Sequence, residues 1–181
     1  MEQNKLRPVQ YAGMMTFMNQ NGVDVGPLEA RSGMSGFIQQ VDVVKGRYYC
    51  HYAVSEDGLR IDALMLVSDQ YPGEVLETPE KIGSVTVSLS GVVGFFSSPK
   101  KEYSMKQLGT YICDLEREHA GRCWVNLNSK QFMSPSSQGV GTSVPVFVHR
   151  NADGKVDAFQ MEFNRKETDL LIEGMEKVNE K

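Results

Sequence analysis

VPVFVHR (Val144–Arg150), NADG (Asn151–Gly154) and KVDAFQMEF (Lys155–Phe163) decide the fold class of this chain. Two apolar runs flank four residues that favour a tight reversal. Asn and Asp bond their own backbone, and Gly accepts a positive φ. Each flanking run is too short for an independent helix and rich in β-branched and aromatic side chains, so the segment predicts an antiparallel hairpin.

Working outward, the same logic recurs. Leu59, Ile61 and Ala63 alternate with Arg60 and Asp62, the pattern of a strand with one wet face. Ser55-Glu56-Asp57-Gly58 turns the chain before it, and Lys45-Gly46 turns it before Arg47–Val54. With Phe37–Val44 in front, residues 37–69 predict a β-meander. Val85, Val87 and Leu89 alternate with Thr86, Ser88 and Ser90, and Val92–Phe96 continues as a buried run. Cys123–Leu127 adds a short strand.

Helices are fewer. Ser104 is placed to cap one whose face carries Leu108, Ile112, Leu115 and His119. Leu171, Met175 and Val178 predict another over residues 166–181. A third is expected near the start, where Pro8 suits a first turn, Val9, Ala12, Met14, Met15 and Phe17 form an apolar stripe, and Asn21-Gly22 ends it. Gly22–Gly36 then reads as a glycine-rich loop. The expectation is α+β: a curved antiparallel sheet of meander and hairpins with two or three packed helices. It forms one domain, comprising a helix and loop (1–36), the meander (37–69), a sheet with one helix (82–163) and a terminal helix (166–181).

The ordered pattern Gly139-Val140-Gly141, Pro145–Val148, Asp153–Val156, Phe159 and Met161–Phe163 resembles the terminal hairpin of an uncharacterised bacterial domain family. That family pairs a Gly-Asp-Gly loop with a proline-containing strand and an Asp-Gly turn. Its upstream segment is similar to Ser90–Phe96, so the resemblance spans residues 85–163. Val140 stands where the family has its loop aspartate, and Leu89 or Ser90 where it has an acidic residue. The resemblance thus implies a fold rather than an activity.

Composition narrows the function. The 181 residues carry a net charge of −4, which argues against direct binding to nucleic-acid phosphates and leaves a basic protein as the complementary partner. Met1–Arg7 is polar, with no apolar run after it, so a cytoplasmic protein without a membrane segment is expected. Three cysteines, Cys50, Cys113 and Cys123, are too few and too odd in number for a disulfide framework.

No arrangement of reactive side chains specifies an enzyme. Cys113, His119 and Cys123 lack a close Cys-x-x-Cys pair, so no metal is expected. Cys50 and His51 are strand neighbours and point to opposite faces. Glu116, Glu118, Glu162, Glu167 and Asp169 offer carboxylates without a selecting spacing. No cofactor is expected either.

The aromatic run is more telling. Tyr49, His51 and Tyr52, with Arg60 nearby, are the expected partner-binding residues, because Tyr and Arg concentrate binding energy at interfaces. The leading expectation is a small acidic inhibitor of a larger basic protein, such as a nuclease or toxin. Phage anti-defence (anti-CRISPR-type) and toxin-immunity proteins are of this kind. The alternative is a small-molecule-binding or hydrolytic domain with Ser136, Ser137 and Gly139–Ser143 around its site. A third is a structural subunit of a phage or secretion particle.

Overall fold

A computed structural model describes residues 9–17, 22–31, 38–40, 42–55, 57–71, 80–97, 104–119, 123–128, 131–136 and 139–163. Among the described residues eleven strands form two antiparallel sheets. They are β1 (Val9–Phe17), β2 (Val23–Pro27), β3 (Ile38–Gln40), β4 (Gly46–Val54), β5 (Ile61–Ser68), β6 (Glu80–Thr86), β7 (Val92–Ser97), β8 (Asn126–Asn128), β9 (Gln131–Pro135), β10 (Ser143–Arg150) and β11 (Val156–Glu162). A single-turn 3₁₀ helix covers Leu28–Arg31, and α1 covers Met105–His119. The six-stranded sheet runs β1-β4-β5-β11-β10-β6 and the five-stranded sheet β3-β2-β7-β9-β8.

The inner faces of the two sheets share one core. Val23, Val25, Val93, Phe95 and Phe132 of the smaller sheet pack against Tyr48, Cys50, Leu64, Leu66, Val146 and Phe159 of the larger. Phe95 meets Phe159 edge-on at 5.7 Å between ring centres. The chain is therefore a sandwich rather than one curved sheet, with α1 the one α-helix among the described residues. α1 covers the outer face of the smaller sheet, where Leu108 and Leu115 join Leu28, Val92, Phe96, Trp124 and Met133. Among the described residues no helix is long and apolar enough to cross a membrane.

Local signals produced what they predicted. In the β10–β11 hairpin the Asn151 carboxamide oxygen accepts from the N–H groups of Asp153 and Lys155, each at 3.0 Å, and Gly154 takes φ 79°. Before β5 the Asp57 carboxylate accepts from Ser55 Oγ at 2.5 Å and from Leu59 N–H at 3.0 Å. α1 opens with a capping box: Ser104 Oγ accepts from Gln107 N–H at 3.2 Å, and Gln107 Oε1 accepts from Ser104 N–H at 2.8 Å.

Three expectations are corrected. The expected first helix is β1, paired with β4 along its length. A bulge between Tyr11 and Gly13 shifts the alternation, so Ala12 and Met15 both face the core while Tyr11 and Met14 face out. That spacing of three imitates a helical stripe. The expected loop 22–36 contains β2, an interior strand of the smaller sheet. Both faces of β2 are buried, so Asp24 and Gly26 break the alternation that would have revealed it. The meander is also split, because β3 pairs with β2 in the smaller sheet while β4 and β5 belong to the larger. The terminal helix expected over 166–181 lies outside the described residues.

A buried polar network ties α1 and the 3₁₀ turn to the smaller sheet. Arg31 Nη1 donates to Gln131 Oε1 at 3.2 Å, and Gln131 Nε2 donates to Asn126 Oδ1 at 2.8 Å and to the Tyr111 hydroxyl at 3.0 Å. Arg31 also lies over the Phe96 ring at 5.2 Å.

Candidate functional site

The four expected partner-binding residues fall into two places. On β4, side chains alternate: Tyr48, Cys50 and Tyr52 turn toward the core, and Tyr49 and His51 turn to the outer face of the larger sheet. Tyr49 is half-buried there, and His51 is only 1% exposed. Tyr11 on the edge strand β1 lies 6.2 Å from the Tyr49 ring and 5.4 Å from the His51 ring. Tyr11 and Met14 remain 53% and 50% exposed, so the accessible members of this patch are Tyr11, Met14 and Tyr49. Sequence reasoning missed the first two because β1 read as a helix.

Burial pulls the His51 imidazole down to a pKa of about 4, with a backbone hydrogen bond at Tyr49 opposing. Its Nδ1 has no hydrogen-bond partner. His51 is thus a neutral ring in the floor of the patch rather than a contact residue.

Tyr52 and Arg60 lie elsewhere. The Tyr52 hydroxyl donates to Gln10 Oε1 at 2.8 Å, and its pKa is raised first by burial and then by nearby Cys123. Cys123 in turn lines a cleft of about 170 Å³ with Leu59, Arg60, Ile61, Glu116, Trp124, Pro135 and Ser136. Four elements meet there: the turn before β5, the C-terminal end of α1, the lead into β8 and the end of β9. The Cys123 thiol donates to the Gly58 carbonyl at 3.4 Å. The His119 ring stacks on Trp124 at 5.6 Å, with the planes 14° apart. Trp124 is 4% exposed, and its buried indole N–H has no acceptor among the described residues.

The remaining candidates separate. Cys113 is exposed on α1 and Cys50 is buried in the core. Burial raises the Cys50 thiol to about 12. Among the described residues no three His, Cys, Asp or Glu side chains converge as metal ligands. Glu162 is fully buried, while Glu167 and Asp169 lie outside the described residues. In the 139–143 loop, Gly141 N–H donates to the Val87 carbonyl at 2.8 Å and Thr142 N–H to that of Gly139 at 3.2 Å. Those donors hold a turn and are not turned toward a ligand. Ser137 lies outside the described residues.

One constellation was not anticipated. His149 Nδ1 and Asp157 Oδ1 are 2.5 Å apart across the β10–β11 hairpin, with Asp157 buried and Tyr71 edge-on to the imidazole at 5.2 Å. The carboxylate fixes the ring's orientation, as one does for a base. No serine, threonine or cysteine hydroxyl or thiol is hydrogen-bonded to that ring among the described residues. The available signal was a His on one strand of the hairpin and an Asp on the other.

Comparison with protein-family models, curated proteins and solved structures found no match to this chain.

Proposed function

We propose that this chain is a non-catalytic binding protein, an acidic inhibitor of a larger basic protein such as a nuclease or toxin. Phage anti-defence and toxin-immunity proteins act in this way. The supporting observation is the patch on the edge strand. Tyr11 and Met14 are each about half exposed beside Tyr49, on the edge strand of the larger sheet among the described residues. Tyrosine gives a rigid amphipathic contact area, and methionine adapts to a partner's surface. The net charge of −4 favours encounter with a basic partner.

The test is co-expression with candidate nucleases and toxins, scored by growth rescue and by co-purification. A Tyr11→Glu/Met14→Glu double variant, checked for native circular dichroism, should lose both. The reading fails if the native chain rescues no target and purifies alone, or if the double variant protects as well as the parent.

A further inference from the structure

The cleft at the end of the sandwich collects groups that nothing in the fold requires there. Arg60 and Glu116 line the same small space, yet among the described residues no ion pair joins them and neither has another charged partner within ion-pair distance. The nearby Asp57 carboxylate is held by the Ser55 hydroxyl and the Leu59 N–H, and the Arg60 charge also favours its ionised form. Trp124 also lines this space, with its indole N–H buried and without an acceptor among the described residues. The rest of the wall is apolar: Leu59, which is 68% exposed at the rim, with Ile61 and Pro135.

Size restricts the occupant. The space is about 170 Å³. Nucleotides and larger cofactors need several hundred Å³. A cation and an anion lining one small space without pairing suit a ligand carrying both opposite charges a few bonds apart. An apolar wall suits a hydrocarbon side chain.

We infer that this cleft binds a free α-amino acid with an apolar side chain. Its carboxylate faces the Arg60 guanidinium, its ammonium faces Glu116, and its side chain lies against Leu59, Ile61 and Pro135. The Arg60 contact is a charge-assisted hydrogen bond, the stronger kind. His119, stacked on Trp124, holds the indole in place. The inference is independent of the edge-strand patch, since the cleft contains neither Tyr11 nor Met14.

Trp124 is the only tryptophan in the chain, so its emission reports on the cleft directly. The experiment titrates the full chain with L-leucine, L-isoleucine, L-valine and L-methionine, following fluorescence and, in parallel, heat by calorimetry. At least one should give saturable binding with both readouts. The desamino analogue 4-methylpentanoate separates the charges. Arg60→Ala should weaken L-leucine and 4-methylpentanoate alike, by about ten-fold or more. Glu116→Gln should weaken L-leucine by a similar factor and leave 4-methylpentanoate unchanged. Both residues are exposed, and retained far-ultraviolet dichroism verifies the folded state. Absence of heat and of an emission change with all four amino acids up to about 10 mM, the range of very weak affinity, overturns the inference. So does an unchanged affinity for L-leucine in an Arg60→Ala/Glu116→Gln double variant.

Discussion

Replacing His51 with phenylalanine should flatten the acid side of the stability curve. The imidazole sits in the outer face of the larger sheet, 1% exposed, against the Tyr11 ring and opposite Met65 on β5. Burial holds its pKa at about 4, against 6.5 for a solvated histidine. Between those values the unfolded chain binds a proton that the folded chain refuses, so stability falls as pH falls. Above about pH 7.5 both states are neutral and the residue has no effect on the slope. Below about pH 3.5 both are protonated and the loss is complete. The whole shift corresponds to about 3 kcal/mol, of which about 2 kcal/mol is already lost at pH 5. For a chain of this size that is a drop of roughly 4–8 °C in Tm. Urea denaturation of the parent and of His51→Phe, at pH 8 and pH 5, measures it. The aromatic replacement keeps the contact with Tyr11, so stability at pH 8 should stay within about 1.5 kcal/mol of the parent. The pH-dependent loss should shrink in the variant by about 2 kcal/mol. Equal losses in the two proteins between pH 8 and pH 5 would refute the argument that a buried neutral imidazole sets this slope.

Two further outcomes follow from the core. A Cβ on Gly94 would lie 2.6 Å from Met133 Cα and closer still to the Phe132 carbonyl oxygen, both backbone atoms of the paired strand β9. Gly94→Ala should therefore destabilise by about 1–3 kcal/mol or more in urea titration, and a variant as stable as the parent would contradict that packing. Thiol labelling with an aromatic disulfide at pH 8 should proceed in order of exposure. Exposed Cys113 should react first, half-buried Cys123 more slowly, and Cys50 only after denaturation, its thiol being buried and raised to about 12. Native-state labelling of Cys50 would show that the sandwich core opens.

The sequence alone determined the features whose causes lie within a few residues. The Asn151–Gly154 turn, the Ser55–Gly58 turn and the Ser104–Gln107 capping box each close through hydrogen bonds between near neighbours. Their residues therefore announce them. The opposite facing of Cys50 and His51 follows equally from the strand's period of two. Contacts between distant segments set the rest. β1 reads as a helix until β4 pairs with it and the bulge at Gly13 resets its phase. β2 hides because both its faces are covered, which removes the alternation that marks a half-exposed strand. The division into two sheets depends on which strands meet, and β3 leaves its sequence neighbours to pair with β2. The cleft is the extreme case. Arg60, Glu116, Cys123 and Pro135 come from four elements, and no spacing along the chain records that folding brings them to one place.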